Sequence, residues 1–404
     1  RVTVKGESRP PSNVSAVTNA SKSATVSWTA GDLRGGVLRG FTVSWAGGSH
    51  DCGIRTVCDL NRLLENNRDY TFTVTQTTDV GDSAPSAPSN VVRPDVRPNS
   101  PSVPVATFGD GQISLTWQDG GVPDGGSPVD RYTVEVRPAV GGVTQQDVTG
   151  GRSLTWTGLT NGTAYSFAVV AHNQFEQPSQ PSGFSAPEIP AGQSGPSAAP
   201  NVSKDPVSSA APRATVSWTP PAFSNGDTSY TYELRRTGST AVLYSGSSTS
   251  TTVTMSVAVE DQTFEVRATN KSRLPSDWSA RSNAVRAFQT PGAPGSFTLT
   301  PTGANNTARF NFTAAAGNGA LPSEIAYRWS AGTASGVVQP GQSVTNGAFS
   351  HSGPVSVQLR AVSTVNGETA QGPQATASVH AYGPPRAPGV NASGNVNDVT
   401  LQWN

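Results

Sequence analysis

Catalysis by a nucleophile needs a base beside it, and acid–base chemistry needs paired carboxylates or a histidine in a pocket. The chain carries four histidines, His50, His172, His351 and His380, which share no motif and no common spacing. Each reads as a solvated or strand residue. Asp119 and Asp124 frame a Gly-rich loop and so raise Ca²⁺, but their spacing is not that of an EF-hand, and Asp-Gly is first of all a turn signal. There is no phosphate-binding loop, no Gly-x-Ser-x-Gly elbow and no Arg-Gly-Asp tripeptide. Asn-x-Ser/Thr triplets at Asn13, Asn161, Asn201 and Asn270 are what chance gives in a chain this rich in Ser and Thr. The sequence therefore predicts no catalytic residue, no metal site and no cofactor.

Two cysteines are the remaining reactive groups. Cys52 and Cys58 flank Gly-Ile-Arg-Thr-Val between two candidate strands, where a hairpin brings their Cα atoms within disulfide range. They are read as a disulfide, which indicates an oxidising compartment. Two free thiols in a loop are the alternative. A Zn site would need four ligands, and His50 is the one nearby third candidate.

The elements that carry these residues are strands. In Ser-Ala-Thr-Val-Ser-Trp-Thr, residues 23–29, Val26 and Trp28 alternate with Thr25 and Ser27, as a half-buried strand requires. The pattern returns at Ile113 to Trp117, Ala214 to Trp218 and Val399 to Trp403, and in weaker form at Ala308 to Phe312. The aromatic anchors Trp28, Trp117, Trp218, Phe312 and Trp403 recur about every ninety residues, the size of one small β-sandwich. Strand-like runs at 8–12-residue spacing fill the intervals, and no helical period appears.

Two further positions narrow the sandwich type. Leu64 stands six residues before Tyr70, followed by Phe72 and Val74; Leu159 stands six before Tyr165, followed by Phe167 and Val169. This is the layout of a tyrosine corner, in which the phenol opening the sixth strand hydrogen-bonds back to the preceding turn. With a Trp on the second strand and no inter-sheet cysteine pair, the units resemble fibronectin type III domains, as does the connection Asp124-Gly-Gly-Ser-Pro-Val129 leading into Tyr132. The resemblance implies an all-β chain of four tandem seven-stranded fibronectin type III or immunoglobulin-like sandwiches in an extended rod. Partial domains are expected at both ends. Residues 1–8 read as the last strand of a preceding domain, 9–95, 96–190, 191–289 and 290–383 as four modules, and 384–404 as the first strands of a fifth. The last strands of the first two modules are expected near 88–93 and 183–187.

The third module has Gln262 at the corner position, so the phenol's hydrogen bond is expected to be absent there. Its Asp277-Trp278-Ser-Ala-Arg281-Ser282 resembles half of the Trp-Ser-x-Trp-Ser element of cytokine-receptor modules, with Arg267 and Arg281 placed to stack on Trp278. The fourth module has Val355 at the corner and Tyr327 and Trp329 on the third strand. Pro-rich joints, such as Arg93-Pro-Asp-Val-Arg-Pro98, act as semi-rigid spacers, and four modules in line predict a length on the order of 140 Å.

Composition limits the partners. Formal net charge is zero, so no field draws the chain to nucleic acid or anionic lipid. No apolar run reaches the roughly 18–20 residues that span a bilayer. Basic residues are almost all Arg, with Lys at 5, 22, 204 and 271 alone, a skew that points to a GC-rich bacterial genome. Expected partners are other domains of a longer chain, other copies of this one, other surface proteins or polysaccharide. The function expected is that of a non-catalytic stalk, filament component or adhesive rod, on a bacterial surface or secreted. The alternatives are a spacer in a secreted polysaccharide-degrading enzyme and a virion fibre component.

Overall fold

A computed structural model describes residues 4–18, 20–349, 353–380, 389–395 and 398–403. Every strand pair in it is antiparallel. Among the described residues, the helical segments are two single 3₁₀ turns, Pro123–Gly125 and Pro322–Glu324. The chain divides into two compact units, Arg1–Gln193 with Asn225–Asp227, and Ser194–Ser224 with Thr228–Asn404.

The first unit holds two sandwiches. The first comprises β1 (Ser12–Val17), β2 (Ala24–Thr29), β3 (Leu38–Trp45), β4 (Gly48–Asp51), β5 (Val57–Leu60), β6 (Thr73–Thr78) and β7 (Gly81–Asp82). One sheet runs β1-β2-β5 and the other β4-β3-β6-β7. The second comprises β8 (Val105–Phe108), β9 (Gln112–Thr116), β10 (Arg131–Val140), β11 (Val143–Thr149), β12 (Ser153–Thr157) and β13 (Ser166–His172), in sheets β12-β9-β8 and β11-β10-β13. Alternation does the sorting: Val26 and Trp28, or Ile113 and Leu115, turn into the core while Thr25, Ser27 and Ser114 face away.

The second unit repeats the plan. Its first sandwich has β14 (Asn201–Lys204), β15 (Arg213–Ser217), β16 (Thr231–Arg236), β17 (Val242–Gly246), β18 (Ser250–Thr254), β19 (Asp261–Gln262), β20 (Phe264–Thr269) and β21 (Val285–Arg286), in sheets β14-β15-β18, β17-β16-β20 and β19-β21. Its second has β22 (Gly295–Pro301), β23 (Thr307–Thr313), β24 (Ile325–Ala331), β25 (Ala334–Val338), β26 (Ser343–Thr345), β27 (Val355–Val365) and β28 (Glu368–Val379), in sheets β22-β23-β26 and β25-β24-β27-β28. A hairpin of β29 (Val390–Asn395) and β30 (Asp398–Trp403) pairs Val390 with Trp403. Each sandwich has its own apolar core.

The last strands differ from expectation. Residues 88–93 and 183–187 do not form regular strands; the isolated bridges nearby are Tyr70 with Val92 and, just past the second stretch, Tyr165 with Glu188. The reason is a different hydrogen-bonding scheme, described below. Residues 4–8, read as a strand, form none either: Gly6 N–H donates to Arg34 O, and Lys5 pairs with Asp79.

Candidate functional sites

The aromatic anchors occupy matching places. Trp28, Trp117 and Trp218 are each buried, and each sits edge-on to an aromatic of the third strand: Phe41 at 5.3 Å, Tyr132 at 5.4 Å and Tyr232 at 5.6 Å between ring centroids. Such pairs contribute about 0.5–1.5 kcal/mol beyond area burial. Their backbone N–H groups donate to Thr56 O, Arg152 O and Thr249 O at 3.0, 3.1 and 2.9 Å. All three indole Nε1 atoms are buried without a partner. Phe312, also buried, meets Tyr327 at 4.8 Å. Trp403 lies on β30, and its side chain falls outside the described residues.

The corner positions hold the turns that precede them. Glu65 N–H donates to the Tyr70 hydroxyl at 3.0 Å and Thr160 N–H to that of Tyr165 at 3.2 Å. In the third sandwich the bond is replaced rather than lost: Gln262 donates from Nε2 to Ser256 O at 2.8 Å, a reach that an amide makes and sequence reading missed. In the fourth, where Val355 opens β27, Tyr327 takes over an anchoring role, its hydroxyl accepting from Ala315 N–H at 2.9 Å.

A serine ladder was not legible. Ser83, Ser86 and Ser89 are buried, and each bonds the neighbouring strand twice. Their N–H groups donate to Gln76, Val74 and Phe72 O, and their Oγ atoms accept from the N–H groups of the same three residues. Ser179, Ser182 and Ser185 do the same against Ala171, Val169 and Phe167, and Ser276, Ser279 and Ser282 against Ala268, Val266 and Phe264. A repeat of three is that of an extended left-handed polyproline-type segment, not of a pleated strand. It puts every third side chain onto the edge of the sheet and replaces a regular ladder. After the third serine, Asn90 and Asn283 mimic a peptide group, each both accepting from and donating to the backbone of one first-strand residue, Ala16 or Val202. Among the described residues the fourth sandwich shows no such triplet; the 12-residue strand β28 pairs with β27 there, with a register shift between Arg360 and Val362.

Trp278 stands between two rungs of the serine ladder, Ser276 and Ser279, and lies over the outer face of its sheet. Arg235 stacks on it at 3.9 Å and Arg267 at 4.7 Å. Arg235, not the expected Arg281, completes the stack, because β16 and β20 place Arg235 opposite Glu265 and Glu233 opposite Arg267. Two cross-strand ion pairs hold the guanidiniums: Arg235 with Glu265 at 3.0 Å and Arg267 with Glu233.

The candidate reactive groups are dispersed. Cys52 and Cys58 are joined as a disulfide with Cα atoms 5.6 Å apart. His50 is exposed on β4, His380 follows β28, and His351 lies outside the described residues. His172 Nε2 meets Thr133 Oγ1 at 2.9 Å while Thr133 donates to Asp147 at 2.6 Å, and burial holds the imidazole pKa below its ordinary value. Asp119 accepts from Gly121 N–H, and Asp124 pairs with Lys22 at 3.3 Å. An open cleft of about 590 Å³ beside Trp117 is lined by Asp119, Tyr132 and Arg152; burial, then the Asp119 charge, raises the phenol's pKa. Among the described residues, no three His, Cys, Asp or Glu side chains are grouped to hold a metal ion, and no helix is long and apolar enough to cross a membrane.

The fibronectin type III domain family model matches residues 9–92 and 98–185. No curated protein matches. Among solved structures, the FN1–FN3 domains of chicken CNTN1 share 18% identity, covering 70% of this chain and 100% of that one, with a TM-score of 0.30.

Proposed function

Since the chain carries two fibronectin type III domains in tandem, at 9–92 and 98–185, within an all-β array, we propose that it works as a non-catalytic stalk, filament or adhesive component of a bacterial surface or secreted protein. Residues 191–289 and 290–383 are proposed as two further modules of the same kind. The observation that carries the reading is the reuse of one internal scheme, anchor, corner and serine ladder, in which buried hydroxyls bond backbone instead of facing a pocket. A fold of this class hosts many jobs, so the function lies in what the modules hold apart or present. The disulfide is consistent with an oxidising, extracellular setting.

Protease treatment of intact source cells tests this. Release of peptides from this chain before lysis is the expected result; protection until lysis, with none in the medium, overturns the surface assignment. Pull-down on insoluble cellulose and chitin separates the alternatives: specific retention replaces the passive stalk with a polysaccharide-binding spacer.

A further inference from the structure

Within the second unit, the tip of the β27–β28 hairpin meets the sandwich that precedes it. Asn366 (φ 49°) and Gly367 (φ 86°) form the two-residue turn, both in the left-handed region that matches the twist of the flanking strands. Just inside the turn, Glu368 accepts from Val207 N–H through Oε1 at 2.8 Å and from Lys204 Nζ through Oε2 at 2.8 Å. Val365 and Ala370 join Phe288 and Ala320 in a buried apolar cluster separate from the four sandwich cores. The Lys204 ammonium lies 5.2 Å over the Phe288 ring.

A second tie runs beside it. Arg286 on β21 pairs with Glu324 at 2.8 Å, their side chains only 14% and 21% exposed. Gln289 N–H donates to Asn318 O at 2.9 Å, and Asn318 Nδ2 donates to Thr290 O at 2.7 Å. Ion pairs this shielded leave an uncompensated charge when one partner goes. A joint with an apolar core of its own resists the relative motion that is otherwise the default between domains. The joint inside the first unit rests on polar contacts, Lys22 with Asp124 and Asn66 Nδ2 with Asp124 O.

We propose that the 365–370 hairpin tip is a latch that makes the third and fourth sandwiches one cooperative body, each stabilising the other. Hydrogen exchange by mass spectrometry on the full chain tests it. The Val365→Ala/Glu368→Ala variant is expected to speed exchange in Asn201–Lys204 and Phe264–Thr269 roughly tenfold or more, though both substitutions lie in the fourth sandwich. The Lys204→Ala/Phe288→Ala variant should speed β27 and β28 by a similar factor, since coupling is reciprocal. Faster exchange confined to the substituted sandwich overturns the latch. If the double variant unfolds its own sandwich, Glu368→Gln, which keeps the shape and removes the charge, is read the same way: a rise across the joint supports the latch, and none overturns it.

Discussion

Replacing Ser182 by Ala should damage the second sandwich far beyond what a serine in a Pro- and Gly-rich stretch suggests. Val169 is fully buried on β13, and its N–H donates to Ser182 Oγ at 2.9 Å. Alanine leaves that donor buried with no acceptor, a cost of about 1–3 kcal/mol, while the bond from Ser182 N–H to Val169 O survives. A loss of about 2 kcal/mol corresponds to roughly 30-fold faster exchange for amides that open by unfolding of this sandwich, and to a drop in its Tm of roughly 8–16 °C. Exchange is the better assay, because one transition temperature is poorly defined for several modules. Ser114→Ala is the control: that serine faces away from the core and its hydroxyl meets the exposed Thr155 hydroxyl at 3.3 Å, so its change should stay within about 0.5 kcal/mol. If the two variants exchange alike, the serine ladder is decoration and the reasoning fails.

Other outcomes follow from the same structure. Reducing the Cys52–Cys58 bond should cost the first sandwich about 2 kcal/mol, the loop-closure value for so short a loop, and leave the cysteine-free second sandwich unchanged in exchange under dithiothreitol. Arg235→Ala should destabilise the third sandwich by about 1–3 kcal/mol through loss of the Trp278 stack and of the Glu265 pair, while Arg281→Ala should stay within about 0.5 kcal/mol, as denaturation followed by exchange would show. Because the folded pKa of His172 is lowered, its unfolded form binds the extra proton; stability is present above about pH 6.5 and falls as pH drops below it. His172→Gln should flatten that part of the pH profile of the second sandwich.

Much of the fold was legible because it depends on strict local chemistry. A period-two strand ending in Trp marks the second strand, and a Leu six residues before a Tyr marks the corner, since both side chains must reach fixed places in the core. The serine ladder escaped because it has period three, belonging neither to strand nor to helix, and its Pro, Gly and Ser residues resemble a linker. Arg235 was missed for a different reason. Its partner Trp278 is forty-three residues away in sequence, and only the register of β16 against β20 brings the stack together. The Gln262 substitute was invisible because an aligned position shows that the phenol is gone, not that an amide reaches a different carbonyl.

Stretching single molecules of the chain from its ends is the most direct test of the claim that it is an array of discrete sandwiches, each with its own core. The account predicts abrupt lengthening in steps that each release about ninety residues, roughly 300 Å of extended chain at ~3.3–3.6 Å per residue, or twice that where the third and fourth open together. Gradual extension without discrete steps, or steps that bear no relation to whole sandwiches, would contradict it.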